Sequence, residues 1–460
     1  MEKDTICALS TPYGISGIGI IRISGPETFS VIKKIFTPGK KRRIEKKWKS
    51  HTVRYGHIID SNGKIIDEVL VTIMRSPSSY TREDMAEIGC HGGIAAIKAV
   101  LSICLQSGCR LAQPGEFTKR AFLNGRIDLA QAESIIEIIN SRTEKSLEVS
   151  LKQLNGSLSR KISEFRNHLV NILALLNYEI DFSEDFGSTS DNNLIENLDS
   201  IITEIKRITQ EGQSGRIFTE GIKIAIVGKP NVGKSSLLNL LVEEDKAIVS
   251  ELPGTTRDSI EAIINISGIP FTIVDTAGIR HHANNIEKIG VERSIKWMEK
   301  AEMVLVVLDY SSPPDQIDIQ ILDMVKDKVH IVILNKCDLC PQVDEKTIND
   351  PCKKARVVQM SCITGKGLQQ LNSAIIEELN RGLCEIKNPE FFLSIRQQHS
   401  LEKTLKILEE IKKLLIDDIT STDIIADMIK LALIQMDEIS GKNISDETLD
   451  EIFSRFCVGK

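Results

Sequence analysis

The stretch GKPNVGKS, Gly228 to Ser235, constrains this chain more than any other. It fits the spacing G-x-x-x-x-G-K-[ST], follows an apolar run (IKIAIV) and precedes a helix-forming run (SSLLNLLV). A phosphate-binding loop requires that context: glycines let backbone N–H groups close around phosphate oxygens, and the helix start adds its positive pole. Asn231, Val232, Gly233, Lys234, Ser235 and Ser236 are the expected nucleotide contacts here. Lys234 reaches the β- and γ-phosphates, and Ser235 offers a hydroxyl to Mg2+. Such a loop leaves the C-terminal end of a strand in a doubly wound α/β sheet.

Four further motifs follow in order, each expected at a strand end. In Ser250, Glu251, Leu252, Pro253, Gly254, Thr255 and Thr256, the last residue is placed to reach Mg2+ and the γ-phosphate. Asp275, Thr276, Ala277 and Gly278 form DTAG after the run FTIV; Asp275 holds the metal shell and the Gly278 N–H meets the γ-phosphate. Asn335, Lys336 and Asp338 belong to NKCD, where Asp338 accepts from the N1 and N2 donors of guanine, which adenine lacks. Ser361 and Cys362, in SCITGKG, place a backbone N–H for guanine O6. GTP or GDP is therefore the expected nucleotide.

The residue after DTAG is Ile279, where many GTPases carry a water-orienting glutamine. Two substitutes are available. Asn231 offers a side-chain carbonyl, and Ser250, Leu252 and Thr255 offer more oxygens, a cage in which a monovalent cation neutralises charge that an arginine finger otherwise meets. Glu287 is a candidate for positioning water, against the alternative of an exposed carboxylate at a helix start.

The rest of the chain is organised around this block. Residues 221 to about 381 alternate strands and helices, with strands expected over Ile222–Val227, Phe271–Val274, Val304–Leu308, Ile331–Leu334 and Val357–Met360. Before it, Leu147, Leu151, Leu154, Leu158, Ile162, Phe165, Leu169, Ile172 and Leu176 recur at steps of three and four, one apolar stripe on long helices. Helices return from about Leu393, so the α/β block is expected to be inserted into a helical domain. Residues 1 to about 120 mix strands and helices, with a hairpin turning at Asn62-Gly63. The basic run Lys40 to Lys49 reads as a solvated loop or an RNA contact.

At 460 residues, with 41% apolar and 27% charged residues and a net charge of −6, the composition is that of an ordinary multidomain globular chain. The mild acidity argues against bulk-charge binding of nucleic acid. No apolar run approaches the roughly 18 to 20 residues that span a bilayer, which leaves no basis for a transporter. The opening MEKDTICALSTPYG lacks a signal-peptide layout, and the ten cysteines are scattered, so reduced thiols in the cytoplasm are expected. Neither Cys337 with Cys340 nor the adjacent Cys90 and His91 has the second pair that a zinc site needs.

Taken with GIGIIRISGP, PGEFTKRAFLNGRIDLAQAE, DTAGIR and the final FCVGK, these motifs resemble the MnmE (TrmE) family of tRNA-modification GTPases over essentially the whole chain. The resemblance implies a multidomain α/β plus α fold: an N-terminal α+β folate-binding and dimerisation domain (1–123), a helical domain in two parts (124–217 and 382–460), and an inserted Ras-like G domain (218–381). It implies a homodimer and a partner, the flavoprotein MnmG (GidA), which carries FAD and NADH. Together they build an aminomethyl or carboxymethylaminomethyl group on carbon 5 of the wobble uridine of certain tRNAs. Methylene-tetrahydrofolate supplies one carbon, and glycine or ammonium the amine. By the family pattern Asn231, Ser250, Leu252 and Thr255 hold K+, Ser235 and Thr256 hold Mg2+, and Glu287 orients water. The folate site maps onto Arg22, Glu87, Arg126 and Lys460, with arginine at 126 where many relatives have lysine. Cys457 faces the modification centre, as nucleophile or as packing. The G motifs alone also permit a GTP-switched RNA or ribosome assembly factor of Era or Der type, but no KH domain or second G domain is recognisable.

Overall fold

In the computed structural model, residues 4–39, 48–181, 191–244, 261–275, 298–342, 355–382, 388–417 and 421–460 are described. They group into two compact units: residues 1–136 with 433–460, and residues 137–432.

The first unit is built on a seven-stranded sheet of order β3-β4-β5-β6-β2-β1-β7. The strands are β1 (Ile6–Leu9), β2 (Ile18–Ser24), β3 (Phe36–Pro38), β4 (Thr52–Ile59), β5 (Ile65–Met74), β6 (Met85–His91) and β7 (Arg110–Leu111). All neighbours are antiparallel except β1 and β7. The expected β4–β5 hairpin forms, with Gly63 at φ 78° and the Asp60 carboxylate accepting from the Asn62 and Lys64 N–H groups. Successive residues of a strand point to opposite faces. Ile21 and Ile23 of β2 thus join Val69, Val71, Ala86 and Ile88 in a core that also takes in Val31, Ile32 and Ile35 of helix Thr28–Ile35 and Ile97, Val100 and Cys104 of helix Ile94–Gln106. Arg22, between the two isoleucines, is left on the other face, opposite Glu87 of β6. Trp48 closes this core edge-on to Phe36, while Lys40 to Lys47 lie outside the described residues.

The second unit contains a six-stranded sheet of order β13-β12-β11-β8-β10-β9. Its strands are β8 (Ile222–Val227), β9 (Glu261–Ile266), β10 (Ile269–Asp275), β11 (Met303–Asp309), β12 (His330–Asn335) and β13 (Arg356–Gln359). All pairs are parallel except β9–β10. The five expected strands are present, and β9 adds a sixth. Alternate residues of β8, β11 and β12 feed two separate cores. Ile224, Leu305 and Ile333 pack with Leu237, Leu241, Leu371 and Ile375 of helices Lys234–Glu244 and Leu368–Gly382. Ala225, Val306 and Val332 pack with Leu322 and Val325 of helix Gln316–Val325. Burial of both faces explains why these strands are nearly continuous apolar runs.

Long helices complete this unit. Ser157–Asp181 buries Leu158, Ile162, Phe165, Leu169, Ile172 and Leu176, as the stripe implies. Its earlier part does not continue on that face: Leu147 and Leu151 are 38% and 41% exposed, and helix Glu144–Leu154 buries Ser146, Val149, Ser150 and Gln153 instead. The break is Asn155-Gly156, where Gly156 takes φ 84° and restarts the helix out of phase. Helix Asp191–Glu220 packs on helix Ile395–Ile416, joining segments before and after the sheet. Its Gly212 and Gly215 let Phe391, Phe392 and Leu393 approach closely; a Cβ at Gly215 would lie 2.0 Å from the Phe391 carbonyl.

Candidate functional site

The phosphate loop leaves β8 and enters helix Lys234–Glu244, the strand–loop–helix arrangement its spacing implies. Gly228 and Gly233 take φ 151° and 102°, and Asn231 takes 62°, so the loop turns through conformations that bulky residues disfavour. The Lys234 ammonium lies inside the loop, donating to the Gly228 and Lys229 carbonyls at 2.8 and 2.7 Å. Ser235 and Ser236 are exposed at the helix start. An exposed hydroxyl beside a helix N-terminus suits a phosphate with a hard cation.

Asn335, 2% exposed at the end of β12, ties three motifs together. Its Nδ2 donates to the Val232 carbonyl at 2.7 Å, and its Oδ1 accepts from the Cys362 N–H at 3.0 Å. Gly233 must be glycine for this: a Cβ there would lie 2.1 Å from Asn335 Nδ2. Next to it Lys336 (φ 70°) pairs with Asp309 at the end of β11 at 2.6 Å. Burial pushes the Asp309 carboxyl up, but Lys336 and Ser311 outweigh it and hold the carboxyl below its ordinary value. The Cys337 N–H donates to the Met360 carbonyl, docking NKCD against SCITGKG. Asp338 is exposed, available to a base edge, and with burial it pushes the neighbouring Cys362 thiol up to about 11.

The O6-reading role expected of Ser361 or Cys362 meets a complication. The Ser361 N–H donates to the Lys366 carbonyl and the Cys362 N–H to Asn335. Either group can read a base only by sharing or exchanging that bond. Asp275 closes β10, in register with Ile226 of β8. Ser250, Glu251, Leu252, Pro253, Gly254, Thr255, Thr256, Thr276, Ala277, Gly278 and Glu287 lie outside the described residues.

A second constellation forms on the outer face of the seven-stranded sheet. The Arg22 guanidinium contacts Glu87 Oε1 through Nε and Nη2, at 2.9 and 2.8 Å. Its Nη1 donates to the Gly459 carbonyl at 3.1 Å. Arg22 also lies over the rings of Tyr80 and Phe117, 5.2 and 5.6 Å from their centroids, and Arg126 lies 4.7 Å over the same Tyr80 ring. The Tyr80 hydroxyl is fixed to Thr118 Oγ1 at 2.9 Å. Lys460 is half-buried; burial and the Arg22 charge push its ammonium below its ordinary value, with Glu87 acting the other way. Thus Arg22, Glu87, Arg126 and Lys460, read separately from the sequence, come together, with both guanidiniums over one tyrosine that the sequence reading did not single out.

The tail is seated rather than trailing. Ser10 Oγ donates to the Gly459 carbonyl at 3.1 Å, and the Cys457 carbonyl accepts from the N–H groups of Gly115 and Lys460. At Gly459 (φ 94°) a Cβ would lie 2.2 Å from the Leu9 carbonyl, so only glycine fits. The preceding helix, Asp446–Ser454, packs on helix Glu116–Leu123 through Phe453 and Phe122. Cys457 itself is exposed, so it fills no core. Elsewhere in this unit Cys90 is buried with its thiol toward the Gly19 carbonyl, and His91 pairs with Asp67 at 2.6 Å.

A family model for the MnmE helical domain matches residues 129–457, and one for the GTP-binding protein TrmE N-terminus matches residues 5–126. The tRNA modification GTPases MnmE of Thermoanaerobacter pseudethanolicus and Acetivibrio thermocellus are each 43% identical, over 100% of both chains. That of Levilactobacillus brevis is 42% identical over 100% of this chain and 99% of its own. Among solved structures, the G domain of the T. maritima FeoB iron transporter covers 34% of this chain and 98% of that chain, at 28% identity and a TM-score of 0.28. With full-length relatives at 42–43% identity and the helical-domain model over residues 129–457, the chain belongs to the MnmE family of tRNA modification GTPases.

Proposed function

We propose that this GTPase is K+-activated. With the flavoprotein MnmG (GidA), it places an aminomethyl or carboxymethylaminomethyl group on carbon 5 of the wobble uridine of certain tRNAs. The observation that supports this reading best is the junction of Arg22, Glu87, Arg126 and Lys460 on the first sheet. Three cations and one carboxylate beside an aromatic ring suit a folate: cations for its glutamate carboxylates, a carboxylate for pterin N–H donors. A GTP-switched assembly factor of Era or Der type has no use for such a cluster.

In this reading bound methylene-tetrahydrofolate supplies the one-carbon unit and is left as the carrier without it, and FAD and NADH act on MnmG. Arg22, Glu87, Arg126 and Lys460 hold and orient the folate, and Cys457 offers its exposed thiol beside the seated tail as nucleophile. At the G site Lys234 and the loop N–H groups hold phosphate, Asp338 selects guanine, and Ser235 with Thr256 binds Mg2+. Asn231, Ser250, Leu252 and Thr255 ligate K+, and Glu287 orients the attacking water in place of the glutamine that Ile279 replaces. The protein acts as a homodimer in the cytoplasm, its G domain (218–381) inserted between two helical segments. Among the described residues no helix is long and apolar enough to cross a membrane.

The test has two arms. GTP turnover should be faster in KCl than in NaCl, and Asn231→Ala should bring the KCl rate down to the NaCl level; equal rates in both salts remove the cation cage. Deleting Val458–Lys460 should abolish 5-formyl-tetrahydrofolate binding and leave GTP hydrolysis intact; unchanged binding overturns the folate assignment.

A further inference from the structure

We propose that Lys229 is a positioning residue whose ammonium tethers the phosphate loop to helix Gln316–Val325, and that this tether sets how long a guanine nucleotide stays bound. In GKPNVGKS both lysines are close enough in sequence to be read as phosphate ligands. The structure separates them. Lys234 lies inside the loop, while Lys229 Nζ pairs with Asp318 at 2.8 Å and Asp315 at 3.0 Å.

The receiving end is built to hold a charge. Asp315 is the N-cap of that helix, accepting from the Ile317 and Asp318 N–H groups, and Asp318 completes the capping box by accepting from the Asp315 N–H. Asp318 is 2% exposed, and its Oδ1 is buried without a hydrogen-bond partner among the described residues. A carboxylate so placed needs a nearby cation, and Lys229, 19% exposed, is that cation. The helix is anchored in turn by Leu322 and Val325 in the core under β11.

The loop is therefore held from two sides. Asn335 grips its far end at the Val232 carbonyl, and Lys229 grips its near end, with Pro230 and Asn231 spanning the gap. Backbone N–H groups bind phosphate well only when already arranged, because ordering them on binding costs affinity. Releasing the near end should loosen ground-state binding of nucleotide without touching the reacting atoms.

The experiment uses the full chain. Lys229→Met should raise both the dissociation rate of mant-GDP and the KM for GTP about tenfold, with kcat at saturating GTP within about twofold of the parent. Lys229→Arg should return both to within about threefold. Asp318→Asn should act in the same direction, and Lys229→Met with Asp318→Asn should be no worse than either alone, since both break one contact. If Lys229→Met does not fold because it strands Asp318, the double variant carries the test. Unchanged mant-GDP dissociation in the double variant overturns the proposal. So does a fall in kcat at constant KM in Lys229→Met, which would place the ammonium at the reacting phosphate.

Discussion

Both faces of β8, β11 and β12 are buried, whereas the outer face of the seven-stranded sheet leaves Val53, Tyr55 and Leu70 more than half exposed. The difference decides where each sheet offers chemistry. A parallel sheet covered on both sides has only its strand ends free, and the described G motifs sit there, after β8 and β12 and beyond β13. An antiparallel sheet with one open face can present side chains along a strand, and Arg22 and Glu87 meet there at mid-strand positions. The first site is made mostly of backbone and loops; the second is made of charged side chains braced by rings.

That contrast breaks most sharply at Lys234. Lys234→Ala should lower GTP turnover by about a hundredfold or more, as expected if its ammonium faces the developing phosphoryl charge. Binding of 5-formyl-tetrahydrofolate by the same variant, followed by titration calorimetry, should be unchanged. Arg22→Ala should do the reverse, weakening that binding by about thirtyfold, as expected for a charged anchor with several partners, while GTP turnover holds. Loss of both activities in either variant would mean that the two regions are not separable.

A finer test concerns Tyr80. Tyr80→Leu removes the ring that both guanidiniums face and should weaken folate binding by about five- to tenfold; Tyr80→Phe, which keeps the ring, should cost less than about twofold. Equal losses would move the effect from the ring to the hydroxyl bond with Thr118.

The smallest effect expected is on acid stability of the first unit. Arg120 pairs with Asp4, Glu116 and Glu83, and Arg110 with Asp4 and Glu116. Burial alone would raise both carboxyls, but these arginines, with the Gln113 N–H at Glu116, hold Asp4 and Glu116 below their ordinary values of 3.8 and 4.5. A carboxyl lowered in the folded state stabilises above its unfolded pKa and loses that contribution as pH falls through the folded one. Thermal unfolding between pH 3 and 6 should show a loss on the order of 1 kcal/mol below about pH 4, after allowing for solvent screening. Arg120→Met should flatten that acid limb.

The strand–loop–helix around Gly228 was legible because every part is local: an apolar run, a glycine loop, a helix start within about fifteen residues. The hairpin at Asn62-Gly63 was legible for the same reason. What escaped depends on phase or distance. Leu147 and Leu151 match the stripe in spacing, yet Gly156 resets the helix and leaves them on the surface. Strand β9 (EAIINI) lies on the sheet edge and pairs antiparallel with β10, outside the strand–helix alternation that marks the other strands. Lys229 has a sequence position next to phosphate and a side chain that goes to residues 86 and 89 further on. Tyr80 carries no signal of its own in SSYTRED; its place emerges only when Arg22, Phe117 and Arg126 fold around it. The cluster of Arg22, Glu87, Arg126 and Lys460 was reached through family resemblance rather than periodicity, since Arg22 and Gly459 are 437 residues apart.

Helix Asp191–Glu220 meets β8 with only Gly221 between them, and that glycine (φ 77°) would bring a Cβ to 2.3 Å from the Pro270 carbonyl of β10. Thirty residues of helix make a rod about 45 Å long, so a swing of about 5° at this joint carries the opposite tip through about 4 Å. The strand that delivers the phosphate loop is thus joined to this rod through a single residue, and the rod is in turn held against helix Ile395–Ile416.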